Sequence, residues 1–157
     1  MDVSDVKYRS ENVLVSSGDD GHFCVWDSRD MKSAKDTVFV SDVGLNTVII
    51  SPHNDFYLAT GGEDGTVYIF DLRAPKTSLN TMDFHKDSIT TADWSPTVPS
   101  FIATADSKGM VYVWDISQVG KEMGRADYDD GPPELVLPNE MHRSGVDDVC
   151  WSPTEAH

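Results

Sequence analysis

The feature that most constrains this chain is a repeat of 44 residues. Residues 13–27 (VLVSSGDDGHFCVWD), 58–71 (LATGGEDGTVYIFD) and 102–115 (IATADSKGMVYVWD) share one pattern, and the aromatic before the closing Asp falls at Trp26, Phe70 and Trp114, 44 residues apart both times. A second element recurs upstream, at 47–52 (TVIISP), 91–96 (TADWSP) and 148–153 (DVCWSP), with a weaker first copy at 3–8 (VSDVKY). A fixed period of this length means one supersecondary unit repeated, each copy burying its apolar face against the next. The units run over about 1–40, 41–84 and 85–141, and a fourth begins over 142–157.

Within each unit the apolar residues are β-branched or aromatic and come in short runs, such as Val67 with Ile69 or Val111 with Val113, bounded by Gly, Asp and Pro. That composition predicts strands, and no stretch carries a helical period. Residues 18–21, 62–65 and 106–109 read as tight hairpin turns with two-residue connections, in which Gly or Asp supplies the positive φ. Several short antiparallel strands per period of roughly 40–45 residues, closed by Trp-Asp, are the mark of one blade of a β-propeller. The expected fold is all-β, about three and a third blades of a seven-bladed ring. Three blades leave open edges, so the chain reads as part of a longer protein, with self-association of copies through those edges as the alternative.

At this point the chain resembles the WD-repeat family over essentially its whole length. The resemblance implies a hydrogen-bonded set that locks each blade: a turn Asp, a His ahead of the first strand, a hydroxyl and the Trp. Asp20 and Asp64 match the turn Asp, His85 and His142 the His, Ser16, Thr60 and Thr104 the hydroxyl, and Trp26 and Trp114 the indole. Phe70 cannot donate a hydrogen bond, and Lys108 stands where the third unit should have its Asp. The second and third units are therefore expected to rely on packing.

Charge narrows the partners. Twelve Lys+Arg against 27 Asp+Glu give a formal net charge of −15, which repels nucleic acid and anionic membrane and suits a basic protein. No apolar run of spanning length and no signal-like start appear, so the chain reads as soluble and intracellular. Cys24 and Cys150 lie far apart in apolar runs and are expected to be reduced, packed thiols.

The period breaks once. Trp94 and Trp151 are 57 residues apart, 13 beyond the period, and the excess falls in 116–141 after Trp114-Asp115. Its centre, 127–134 (DYDDGPPE), holds four carboxylates in eight residues, stiffened by Pro132 and Pro133. Together 114–120 (WDISQVG), 129–135 (DDGPPEL), 84–89 (FHKDSI), 94–96 (WSP) and 71–73 (DLR) are similar to the histone-binding branch of WD-repeat proteins. This is the retinoblastoma-binding or MSI-like family, which includes the chromatin assembly factor small subunit. The resemblance implies that the loop closes over the first helix of a core histone. Asp127 and Asp130 would pair with histone Arg or Lys, and Leu135, Leu137 and Pro138 would line an apolar edge. Asp129, Pro132, Pro133 and Glu134 complete the expected partner-binding set. Leu137 replaces a large aromatic of the family, and the long N-terminal helix that walls the family's site is not in this sequence. Ser88 and Thr90 stand where an acid and an aromatic serve a second, histone-tail site, so that site is not carried over.

The implied function is a non-catalytic, nuclear scaffold that binds core histones and chromatin-complex subunits, with a cytoplasmic pool compatible. The alternative is a WD-repeat ribosome-assembly factor that chaperones a basic ribosomal protein. No cofactor or metal is expected. The histidines read as blade-locking groups, and their spacing gives no ligand set. Asp27, Asp71 and Asp115 recur with the fold, as do Trp94, Trp114 and Trp151, which reads as structure and core. Residues 61–65 lack the Lys-Ser/Thr of a phosphate loop, and there is no Gly-x-Ser-x-Gly.

Overall fold

A computed structural model describes residues 2–120, 131–140 and 142–153. It contains three four-stranded antiparallel meanders. Blade 1 comprises β1 (Val3–Ser10), β2 (Val13–Gly18), β3 (His22–Asp27) and β4 (Asp36–Phe39). Blade 2 comprises β5 (Leu45–Ile50), β6 (Tyr57–Gly62), β7 (Val67–Asp71) and β8 (Asn80–Met82). Blade 3 comprises β9 (Ile89–Trp94), β10 (Phe101–Asp106), β11 (Val111–Asp115) and β12 (Leu135–Asn139). The all-β, partial-propeller architecture expected from the repeat is what the chain adopts.

The sheets stack face to face, and the core lies between them. Val15, Phe23 and Val25 of blade 1 meet Leu45, Val48, Leu58 and Phe70 of blade 2 in one buried cluster. The opposite face of blade 2, with Ile49, Ala59 and Ile69, meets Ile89, Trp94, Ile102 and Trp114 of blade 3 in the other. Strand alternation explains this: in each blade neighbouring residues such as Leu58 and Ala59 point to opposite faces and serve opposite neighbours. Gly61 faces blade 3, and a Cβ there would lie 2.5 Å from Ile89 Cγ2, so the blades approach as closely as glycine permits.

The innermost strands β1, β5 and β9 also exchange polar contacts. Asp5 Oδ2 accepts from Val48 N at 3.0 Å and from the Thr47 hydroxyl at 3.2 Å. The Asn46 amide donates to Ser88 Oγ and Ile89 O, both at 2.8 Å. Asp93 Oδ2 accepts from Trp151 N at 2.8 Å, and Asp93 O from the Trp151 indole at 3.2 Å.

The hairpin turns correct one expectation. Gly21 N donates to Gly18 O and Gly65 N to Gly62 O, both at 3.2 Å, so the β2–β3 connection holds three residues and the β6–β7 connection four, each built on a tight turn followed by a left-handed residue. Only glycine takes the positive φ, at Gly21 (72°), Gly65 (76°) and Gly109 (100°), and none of the turn Asp residues does. Residues 142–153 differ as well: they form no strand, Trp151 is half-buried rather than core, and Cys150 is exposed rather than packed. Both cysteines are free thiols.

Candidate protein-interaction surface

The three blades are locked in different ways, and the third corrects the sequence reading. In blade 3 a buried relay joins four side chains. The Trp114 indole donates to Thr104 Oγ1 at 2.8 Å, Thr104 Oγ1 lies 2.7 Å from His85 Nε2, and His85 Nδ1 lies 2.9 Å from Asp106 Oδ2. One polarity satisfies every group: Trp114 to Thr104, Thr104 to a neutral His85, and His85 Nδ1–H to the carboxylate. The carboxylate comes from Asp106, two residues before Lys108, where Gly18 and Gly62 stand in the other units. Its Oδ1 accepts from Lys108 N and Met110 N, both at 2.9 Å, and so fixes the turn as well. Burial holds the His85 pKa below the usual histidine value. Burial also works against ionised Asp106, but the hydrogen bonds from His85, Met110 N and Lys108 N outweigh it and keep its pKa low.

Blade 2 has a different arrangement. Phe70 packs edge-on against Phe23 of blade 1, with centroids 5.1 Å apart, as packing alone would require. Asp64 accepts from the Tyr68 hydroxyl at 2.7 Å and the Ser41 hydroxyl at 3.1 Å, while Thr60 turns away to donate to Thr47 O. Blade 1 retains the indole end, Trp26 Nε1 to Ser16 Oγ at 2.9 Å.

The antiparallel strand order sets the end of each blade at which the connection between third and fourth strands emerges. In blades 1 and 2 that connection opens with an Asp-x-Arg clamp. Arg29 Nη2 lies 2.6 Å from Asp27 Oδ2, and Arg73 Nη2 2.5 Å from Asp71 Oδ2. The paired guanidinium lowers the Asp71 pKa to about 2. Blade 3 has Ser117 in place of the Arg. Asp115 Oδ1 accepts from Ser117 N and Oγ, capping one 3-10 turn over Ile116–Gln118 from which the insertion departs.

Three of the expected partner-binding residues, Asp127, Asp129 and Asp130, lie outside the described residues. The rest occupy the return of the insertion to the blade. Gly131 has φ 99°, Leu135 N donates to Pro132 O at 2.9 Å, and Glu134 O accepts from Asp115 N at 2.7 Å. Pro132, Pro133 and Glu134 are therefore held, half-buried, in a turn leading directly into β12. The structure divides the expected apolar edge. Trp114 pairs with Leu135 but Val113 with Leu137, so one residue bulges between them and the two leucines point to opposite faces. Leu135 packs into the core between blades 2 and 3. Leu137 turns to the open face and is 53% exposed, with Val136 at 50% and Pro138 also exposed. Plain alternation over 135–137 would have put both leucines on one side, and only the pairing register reveals the bulge.

Among the described residues no helix is long and apolar enough to cross a membrane, and no group of His, Cys, Asp and Glu is placed to hold a metal. Exposed apolar residues lie on connections and on the edge strands β1 and β12, as on a surface that binds other proteins. The model of the WD domain, G-beta repeat, matches residues 2–27, 37–71 and 76–115, more than half of the chain, the second and third stretches each starting in or before the fourth strand of the preceding blade. The matched stretches end at the Asp that closes β3, β7 and β11 in turn. With this periodicity, fold and match together, the chain belongs to the WD-repeat family, whose propellers act as protein-interaction scaffolds.

Proposed function

We propose that this WD-repeat chain is a histone-binding scaffold subunit of chromatin assembly, remodelling or modifying complexes, acting in the nucleus without catalysing a reaction itself. The observation that carries the reading is the acidic, Pro-containing insertion of blade 3. Its sequence, 129–135 (DDGPPEL), is similar to that of histone-binding WD-repeat proteins. It returns to the blade through a hydrogen-bonded turn beside the exposed Val136, Leu137 and Pro138. A net charge of −15 supports a basic partner and speeds its encounter more than it adds affinity. Asp127 and Asp130 pair with Arg or Lys of the partner helix, and Leu137 and Pro138 supply the apolar contact. Leu135, turned into the core, holds the loop's return instead of touching the partner.

Calorimetry with a peptide spanning the first helix of a core histone tests this, at low and physiological salt. The Asp127→Ala/Asp130→Ala double variant is expected to weaken binding by about 2 kcal/mol or more and to flatten its salt dependence. Equal binding by wild type and variant would reduce the loop to a connection. Absence of any binding, with a basic ribosomal protein retained instead, would favour a ribosome-assembly chaperone.

A further inference from the structure

On the side of the molecule where the Asp-x-Arg connections emerge, blades 2 and 3 enclose a groove of about 530 Å³. Tyr57 and Ile69 line it from blade 2, Trp94 and Ile116 from blade 3, and Leu79, 53% exposed, stands at its lip. The Trp94 indole N–H is already given to Pro99 O at 2.8 Å, so this residue offers the groove only ring surface. None of the lining residues is Asp, Glu, Lys or Arg, in a chain of which 25% of residues are charged. The polar groups that line it are the hydroxyls of Ser51, Ser100 and Ser117, the His53 ring, whose Nε2 lies 3.0 Å from Ser95 O, and the amides of Asn54 and Asn80. Asn54 Oδ1 accepts from Phe56 N, and among the described residues neither its NH₂ nor the Asn80 side chain makes a hydrogen bond. Asn80 also begins β8, the edge strand of its sheet, so one side of that backbone is unpaired.

We infer that this groove binds an extended peptide segment of a partner protein, which inserts one large uncharged side chain, aliphatic or aromatic, between Tyr57 and Ile116. The two asparagine amides bond the backbone on either side of it. Size and apolar walls suit one such anchor, and with no Asp, Glu, Lys or Arg in the lining a charged one would lack a fixed counter-ion to offset its desolvation. The chain's net charge of −15 favours Lys or Arg in the residues that flank the anchor. The basic flanks rest on the reading of a basic partner given above, whereas the uncharged anchor does not.

Capped synthetic peptides with two Lys on each side of a central Trp, Leu, Ala or Glu test the assignment, titrated into the full chain by calorimetry. The Trp and Leu peptides are expected to bind about tenfold tighter than the Ala peptide, with Glu weakest, a ratio that one buried side chain supplies. Leu79→Lys, at an exposed position, should reduce the preference for Trp over Ala to less than about twofold, while the thermal midpoint stays unchanged. Asn80→Ala should weaken all four peptides and keep their order. Equal binding of all four peptides would overturn the assignment, as would a preference that survives Leu79→Lys. Concentration-dependent self-association that Leu79→Lys abolishes would give the groove to a second copy and overturn it too. The Asp127→Ala/Asp130→Ala variant separates the two readings: it loses the histone helix if the loop binds it, and keeps the Trp-over-Ala preference in either case.

Discussion

Blades 2 and 3 have the same strands, the same period and nearly the same turns, yet they are closed by different chemistry. Blade 3 runs an unbroken relay from a fully buried indole through Thr104 and His85 to Asp106, whereas blade 2 has Phe70 at one end and an exposed Asp64 at the other. The difference lies in what happens if a member is lost. Loss of one member of a buried relay leaves the groups bonded to it unsatisfied, which costs more than the bond itself, while an exposed carboxylate turns to water. Blade 3, which carries the insertion, is thus the blade whose geometry is most strictly fixed. Blade 2 is held by apolar contact and tolerates local change.

That contrast can be tested in order of effect. Trp114→Ala removes both an apolar anchor between blades and the head of the relay, and should cost about 3–5 kcal/mol of unfolding free energy, read from the urea midpoint. Next, Asp106→Asn should cost about 1–3 kcal/mol, and Asp64→Asn, at the exposed site, about 1 kcal/mol or less. Equal losses in the two blades would break the comparison. The smallest effect is a slope. His85 is neutral when folded and its pKa is depressed, so below the unfolded value of 6.5 the unfolded chain takes up a proton that the folded chain does not. Stability is then full above that pH and declines as the pH falls through it, and His85→Gln should flatten the decline between pH 7 and pH 5 in thermal melts.

The sequence held the fold openly, because a blade is a local object: strands, turn and closing Trp-Asp all lie within one period. It held less of the locks. Lys108 concealed the third blade's carboxylate because a side chain two residues earlier reaches the same histidine, and alignment by period cannot see reach. Tyr68 and Ser41 were hidden for the same reason, being substitutes drawn from other positions. The interaction surface was legible as composition, an acidic run with Pro132 and Pro133, but not as geometry. The bulge at Val136, which separates Leu135 from Leu137, is decided by pairing with β11 and leaves no trace in the pattern. The groove between blades 2 and 3 escaped altogether, since Tyr57 begins a strand while Leu79 and Ile116 belong to two separate connections.

The turn glycines carry a consequence for how such a protein is made and copied. A Cβ on Gly65 would sit 2.6 Å from His85 O, and one on Gly109 2.7 Å from His142 O, so each turn is seated on the stretch that leads into the following blade. As the polypeptide leaves the ribosome, a blade therefore waits for the start of its successor before its own turn is complete. A gene segment duplicated from turn to turn carries its half of each seat and joins cleanly to its neighbours. A segment cut at the edges of a sheet leaves both seats broken, so the heritable module of this protein is offset from the module seen by eye.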